Sequence, residues 1–385
     1  MNKKLQVYHF HNGGGGGVLS VIKNLIQFSQ NPDIDNHIIY TINKEETASF
    51  IADDISGAVS QQVFYYSPKW NFYYTCKQLA KLLPNKKVLI VAHDWLELGM
   101  MSNLGLQNPV VFFLHGDYNY YYGLAQKHEP AIDQFICVAK NIETKLLTLL
   151  PDRKDNIIYL RFPIPRINNN QVLQQHCNII FVGRLTTDKG YPMLPLIAEK
   201  LCLQNIDVVW HIAGAAPNDT DTVVWDKKIN VHFYGNVSND RVIALLKDMQ
   251  IFILPSIAEG MPVAVIEAMK AGVVPVVNNI NGGIQELVIN NETGYKIDRN
   301  DPEDYTEKII ELFNNRSLSE TIKRNCIEKA NSLFDPVDNT KMIEQQFQQV
   351  LASLKVKKNA KKIYGSRLDQ HWIPNVITKS VRSIR

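Results

Sequence analysis

Ile251-Phe252-Ile253-Leu254-Pro255-Ser256-Ile257-Ala258-Glu259-Gly260-Met261-Pro262-Val263-Ala264-Val265-Ile266-Glu267-Ala268-Met269 holds a strand, a loop and a helix in succession. The opening apolar run, ended by Pro255, reads as a short buried strand. The run after Pro262 reads as a helix. Pro262 suits its first position and Gly272 its stop. Glu259 then lies in a loop at the carboxyl end of a strand, and Glu267 about one and a half turns into the helix. The amides of Gly260, Met261 and Val263, on either side of Pro262, fall near the helix N-terminus, where unpaired N–H groups and the dipole favour an anion. Two carboxylates beside an anion site suit a ligand with both hydroxyls and phosphates, as a nucleotide sugar has. The plain alternative is an ordinary strand–loop–helix unit with both acids in water.

The same alternation runs along the chain. Strand candidates in the first half are Leu5–Phe10, Ile38–Ile42, Val63–Tyr66, Val88–Ala92, Val110–Leu114, Phe135–Val138 and Ile157–Tyr159. In the second half they are Ile179–Val182, Val208–Ile212, Val231–Tyr234, Phe252–Leu254, Val274–Val277 and Tyr295–Ile297. Helical patterns lie between many of them, among them Val18–Phe28, Ile142–Leu150, Met193–Leu203, Arg241–Met249 and Val263–Lys270. Strands alternating with helices imply parallel sheets covered on both faces. The fold class is α/β, with two Rossmann-like domains over residues 1–165 and 177–340. The junction falls in Arg161–His176, which holds Pro163, Pro165 and the polar run Asn168-Asn169-Asn170-Gln171. Ligands of such sheets sit outside the carboxyl ends of the strands. Two domains face to face put the site in the cleft between them.

A length of 385 residues fits two domains, and 45% hydrophobic residues allow substantial cores. No apolar run is long enough to span a bilayer. The start, Met1-Asn2-Lys3-Lys4-Leu5-Gln6-Val7, lacks a signal-peptide pattern. Cys76, Cys137, Cys177, Cys202 and Cys326 are widely spaced with no CxxC pair, which argues against a disulfide framework or a structural zinc site. A reduced, cytoplasmic protein is the expectation. The net charge of +3 is uneven: residues 355–385 carry nine Lys or Arg against Asp369 alone, a net +8, and leave −5 elsewhere. With Tyr364, Trp372 and Ile373 among them, these cations suit an anionic lipid surface. A solvated tail is the plain alternative. Nucleic acid is not the expected partner.

Several smaller constellations follow strands. His9-Phe10-His11-Asn12 leads into Gly13 to Gly17, whose backbone can approach a ligand and point N–H groups at its oxygens; Gly14, Gly15 and Gly16 are the candidate donor contacts. The run lacks the third glycine of GxGxxG. Gly183-Arg184-Leu185-Thr186-Thr187-Asp188-Lys189-Gly190 opens the second domain. Arg184 and Lys189 there can neutralise a diphosphate and charge developing on a leaving nucleotide; the alternative is a surface ion pair among Arg184, Asp188 and Lys189. His93-Asp94 and His115-Gly116-Asp117 also end strands, and of the two histidines His115 is the functional candidate. Tyr118-Asn119-Tyr120-Tyr121-Tyr122 reads as an acceptor-binding face or as a packed surface helix. Gly214 and Val237 follow strands where a nucleobase could lie. Asp219-Thr220-Asp221 matches a metal-binding string found in one class of sugar transferases but lies in a polar loop, and no metal site is assigned.

Together these residues resemble glycosyltransferase family 4, retaining enzymes of the GT-B fold. The resemblance runs from the glycine loop to about Leu354 and is strongest over 179–297. Its most specific element is the pair Glu259 and Glu267 in a Pro-Ser…Glu-Gly-Met-Pro…Glu-Ala-Met…Gly setting, supported by Gly183-Arg184-Leu185…Asp188-Lys189-Gly190 and Gly282-Gly283…Glu286…Gly294. The resemblance implies that Glu267 holds the ribose hydroxyls and Glu259 the hydroxyls of the transferred sugar. The backbone at Gly260, Met261 and Pro262 reaches sugar and phosphate. Arg184 and Lys189 bind the diphosphate, and His115 faces the reacting end of the sugar. It also implies a helix over 341–354 crossing back to the first domain, with 355–385 a basic tail outside the family pattern. The implied activity is retaining, metal-independent transfer of a hexose-type sugar, with the nucleotide sugar as co-substrate and no cofactor. UDP is the default nucleotide by family frequency. The acceptor is a glycan or lipid-linked sugar of cell-envelope or surface-polysaccharide synthesis, met at the inner face of the membrane. An epimerase, a phosphorylase or a silent sugar-nucleotide binder of the same fold are the other readings. A phosphorylase would need a pyridoxal-binding lysine, which the sequence does not mark.

Overall fold

The computed structural model describes the chain except residues 1–3, 15, 47–51, 53, 169–176, 216–222, 299–300, 354–361, 364 and 385. It forms two compact units: Met1–Pro163 with Pro336–Arg385, and Ile164–Asp335.

The first unit begins β1 (Leu5–His11), α1 (Gly17–Gln27), β2 (Ile34–Asn43), β3 (Ser60–Tyr66), α2 (Phe72–Ala80), β4 (Leu89–Ala92) and α3 (Trp95–Leu104). It continues with β5 (Val110–Leu114), α4 (Asn119–Lys127), β6 (Gln134–Cys137), α5 (Lys140–Leu149) and β7 (Ile157–Tyr159). The seven strands pair in parallel in the order β3-β2-β1-β4-β5-β6-β7. Parallel neighbours need crossovers, which the helices supply. The central strands β4 and β5 are buried at every residue, which is why they read as unbroken apolar runs.

The second unit runs β8 (Cys177–Val182), α6 (Met193–Leu203), β9 (Val208–Ala213), β10 (Asn230–Gly235), α7 (Asn239–Leu246), β11 (Ile251–Leu254) and α8 (Val263–Lys270). Then come β12 (Val274–Asn278), α9 (Gly283–Leu287), β13 (Tyr295–Ile297), α10 (Pro302–Asn314) and α11 (Arg316–Leu333). Its parallel sheet has the order β10-β9-β8-β11-β12-β13. Both units are therefore Rossmann-like, the two components of a GT-B fold. Each sheet reverses its winding once, between β1 and β4 and between β8 and β11. The crevice at such a reversal is where ligands of these sheets bind.

Every strand expected from sequence is present, with ends shifted by a few residues. Pro262 departs from expectation by one position: it caps α8 from outside, and Val263 is the first helical residue. Gly272 stands just past the helix with φ 73°, as a stop requires. The other difference is at the end of the second unit. Helix α12 (Pro336–Ala352) starts before residue 341, with Pro336 at its first position, so residues 336–340 group with the first unit. Asn339 Nδ2 donates to Phe162 O (3.2 Å), Ser29 Oγ bonds Glu344, and Phe347 packs its ring against His9. A last helix, α13 (Asn375–Ser383), lies inside the segment read as a tail. Of the junction Arg161–His176, residues 169–176 lie outside the described residues, as do Gly15, Asp219, Thr220 and Asp221.

Candidate functional site

In the second unit the loops after β8 and β11 are stapled together. Ile257 N donates to Asp188 O (3.0 Å), and Ser256 Oγ donates to the same oxygen (3.1 Å). Gly190 turns the chain with φ 72°, and a Cβ there would stand 2.1 Å from Pro255 O, so only glycine lets the two loops approach this closely. The result is an ion pair joining residues seventy positions apart: Lys189 Nζ to Glu259 Oε1, 2.7 Å, with side chains 16% and 10% exposed. Of the alternative reading, a surface ion pair among Arg184, Asp188 and Lys189, the Lys189 part does not form. Arg184 takes Asp188 instead, at 3.0 Å, and its side chain is largely exposed. Thr186 Oγ1 is buried with no hydrogen-bond partner among the described residues.

The Glu259 loop is also held from its far side. Asn278 Nδ2 donates to Ser256 O (3.1 Å), and Tyr305 Oη donates to Asn278 Oδ1 (2.6 Å). Gly283 N donates to Gly260 O (2.6 Å). Gly282, at φ 114°, would put a Cβ 2.6 Å from Glu259 O. Gly260, Met261 and Pro262 are buried, and the α8 N-terminus that follows them has no side-chain cap.

Glu267 is buried on α8, and Asn239 Nδ2 at the start of α7 donates to its Oε1 (2.8 Å). Burial raises its carboxyl to about 7, opposed by the Asn239 bond. Ser238 caps α7 through Arg241 N (3.3 Å), which fixes Asn239. Val237 lies just before that cap. Gly214 N bonds Gly235 O (2.8 Å), and Gly183 N bonds Ala213 O (3.0 Å), so the carboxyl ends of β8, β9 and β10 are tied in one row. Lys189, Glu259, Arg184, Gly214 and Val237 thus belong to loops on the carboxyl side of one sheet, and Glu267 to the helix that follows one of them. Neither acid is a solvated surface group: Glu259 is 8% exposed and Glu267 3%.

The first unit's reversal point is different in kind. Beyond β1, Gly13 N donates to His11 Nδ1 (3.1 Å) and Gly14 N to Asn12 Oδ1 (3.0 Å). Asn12 Nδ2 reaches across to Asp94 Oδ2 beyond β4 (3.1 Å), and Tyr120 Oη bonds the other Asp94 oxygen. Asp94 also caps α3 in a reciprocal box with Glu97, whose Oε1 accepts from His93 N (2.7 Å) and Asp94 N (2.6 Å). His93 Nδ1 and His115 Nε2 are 2.8 Å apart, so one ring nitrogen donates and the other accepts. Burial holds His115 down at about 3, with His11 adding to it, and His9 at about 4. It pushes His93 well below its ordinary value as well. These imidazoles are neutral at pH 7. His115 can therefore exchange hydrogen bonds with a ligand but carries no charge to it. Its ring lies edge-on to Tyr121, and Tyr118, just before α4, and Tyr120, on it, are exposed. Gly14 and Gly16 are exposed.

Sequence reasoning missed Asn239, Thr186 and the His93 partner of His115. Asn239 and Thr186 carry no local signal, because their role appears only when distant loops meet. His93 did carry one, since it ends a strand as His115 does.

Residues 168–330 match the family model described as glycosyl transferases group 1. The match falls within the second unit, which is similar over this stretch to group 1 glycosyl transferases. The uncharacterized glycosyltransferase MJ1178 of Methanocaldococcus jannaschii is 28% identical over 199 residues, 50% of this chain and 53% of that protein. The capsular polysaccharide biosynthesis glycosyltransferase CapM of Staphylococcus aureus is 24% identical over 219 residues, 52% of this chain and 57% of the relative. The matched region is thus about half the length of these curated relatives. In fold the chain is similar to HepE of Anabaena, solved in complex with UDP-glucose. The TM-score is 0.71 at 15% identity, covering 90% of this chain and all of that one. The likeness to the solved structure is one of fold, and the family match lies within the second unit.

Proposed function

We propose that the chain is a retaining family 4 glycosyltransferase, which moves a hexose-type sugar from a nucleotide diphosphate sugar to a glycan or lipid-linked acceptor. The observation that carries this reading is the second unit's reversal point. A half-buried cation, a buried carboxylate, a helix N-terminus and a second carboxylate held by Asn239 sit on the carboxyl side of one sheet. Glu267, protonated or not, offers oxygens to a ribose diol. Lys189, Arg184 and the uncapped α8 N-terminus supply positive potential for a diphosphate, and its oxygens would satisfy the orphaned Thr186 hydroxyl. Glu259 keeps Lys189 in place and offers its second oxygen to a sugar hydroxyl. With these groups carrying the leaving-group charge, the reaction needs no metal.

In the proposed step the acceptor hydroxyl oxygen attacks the anomeric carbon. The bond from that carbon to the β-phosphate oxygen breaks, and the acceptor proton passes to the departing phosphate on the same face. The products are a glycoside of retained configuration and a free nucleotide diphosphate. His115, neutral, hydrogen-bonds the sugar. The capsular polysaccharide name of CapM supports an acceptor from surface-polysaccharide synthesis, and the UDP-glucose complex of HepE makes UDP the first nucleotide to assay.

The test is nucleotide release in the presence of a chelator, from UDP- and GDP-sugars, with and without lipid extract as acceptor source. Acceptor-dependent release is the expected result. Interconversion of the sugar with no nucleotide released would make the protein an epimerase. Arg184→Ala should cut turnover by about a hundredfold while leaving folding nearly untouched, because its ion pair is exposed.

A further inference from the structure

The end of the chain packs with its polar side inward. Asn375 Oδ1 accepts from Asn71 N (2.8 Å), and Thr378 Oγ1 donates to Leu368 O (2.8 Å). Arg382 donates to Trp70 O (2.6 Å), Pro68 O (3.0 Å) and both oxygens of buried Asp369 (2.9 Å each). Asn71 Nδ2 donates in turn to the carbonyls of Leu368, Gln370 and Ile373. These bonds fix α13 against the first unit along the face that holds 375, 378 and 382. The opposite face holds Val376, Ile377, Val381 and Ile384, which are 74%, 53%, 41% and 86% exposed. Trp372, just before the helix, is 65% exposed. A surface helix of a globular domain normally buries its apolar stripe. This one is anchored by hydrogen bonds and presents the stripe outward.

The surrounding charge says what covers it. Asp369 is the single acid of residues 355–385, and it is turned inward to Arg382. The exposed charges left in the described part of the segment, Lys362, Arg367 and Lys379, are all cations. The cores of protein interfaces are depleted in lysine and other charges. A narrow apolar stripe with an indole and basic neighbours is the composition of a helix lying in a lipid interface, where anionic headgroups take the cations and acyl chains the stripe. No helix among the described residues is long and apolar enough to cross a membrane.

We propose that the outward face of α13, with Trp372, docks the protein on an anionic lipid bilayer. The inference does not rest on the transferase reading. It is tested by cosedimentation of the full chain with phosphatidylglycerol vesicles and with phosphatidylcholine vesicles. A triple variant, Ile377→Ser, Val381→Ser and Ile384→Ser, touches none of the anchoring bonds and is compared after its thermal unfolding is shown to match the parent. A second variant, Arg367→Glu with Lys379→Glu, reads the charge. The expected result is salt-sensitive binding to phosphatidylglycerol alone, weakened about tenfold or more in each variant. Three results would overturn the proposal: no binding by the parent at low salt, equal binding by parent and triple variant, or a concentration-dependent dimer lost in the triple variant with no lipid binding.

Discussion

The two units share a winding and a reversal point, yet they equip that point in opposite ways. The second unit crosses it with a part-buried ion pair, Lys189 to Glu259, set by close-packed glycine turns. The first crosses it with an exposed amide–carboxylate bond, Asn12 to Asp94, beside neutral imidazoles and a glycine loop. The contrast teaches that a common sheet order fixes where a ligand sits, while the loops decide whether charge or hydrogen-bonding capacity meets it. It also predicts that substitutions of matched position will differ sharply in cost.

The largest effect belongs to the ion pair. Removing one partner strands a largely buried charge, so Lys189→Ala and Glu259→Ala should each lower stability by about 3 kcal/mol in chemical denaturation. The double variant Lys189→Met with Glu259→Leu removes both charges and should regain most of that stability while remaining without transferase activity. If the single variants unfold like the parent, the pair is not the organising contact of this site.

Glu267 comes next. Its folded value near 7 lies above the ordinary 4.5, so its contribution is fully present below about 4.5 and is lost as pH rises through 7. Glu267→Gln is neutral at every pH and lacks that loss. Its stability relative to the parent should therefore improve between pH 5 and pH 8, by about 3 kcal/mol at most. Thermal unfolding of both proteins across that range measures it, and a flat difference would remove the buried-carboxyl argument. The same variant should bind UDP more weakly if the ribose reading holds.

The first unit should show the opposite pH sign. His9 is depressed to about 4, so the stability it contributes is present above about 6.5 and drains as pH falls toward 4. His9→Asn should reduce the parent's stability loss between pH 6.5 and pH 4.5 by about 2 kcal/mol. Equal acid slopes for parent and variant would show that the imidazole is not held neutral by the fold.

These contrasts were only half legible in the sequence. The strands were readable because residues such as Val110–Leu114 are buried on both faces and leave unbroken apolar runs. Glu259 and Glu267 were readable because their spacing is local to one loop and one helix. Lys189 was marked as a cation near a strand end, but its partner was not, since an ion pair across seventy residues has no pattern until two loops are stapled at Asp188 O. The bond between His93 and His115 is not legible in either motif, because a hydrogen bond between neighbouring strand ends depends on sheet order. Helix α13 was hidden for a different reason. Its apolar stripe faces outward, and its nine residues were read together with the cations around them as a tail.

The smallest effect is expected at Asn12, the first unit's counterpart of Lys189. Its bond to Asp94 is exposed, and Asp94 keeps its capping bond to Trp95 N (2.8 Å) when Asn12 is gone. Water can replace the lost amide, so Asn12→Ala should cost about 0.5 kcal/mol or less. The variant also frees Gly14 N from the Asn12 Oδ1 acceptor and loosens the glycine loop. If that loop meets the ligand, KM should rise by a few-fold, on the order of one hydrogen bond, with little change in kcat. Stability and kinetics therefore separate here, whereas at Lys189 they fall together. A loss of several kcal/mol in Asn12→Ala would show that both reversal points are equally rigid, and the asymmetry between the units would have to be sought elsewhere in their loops.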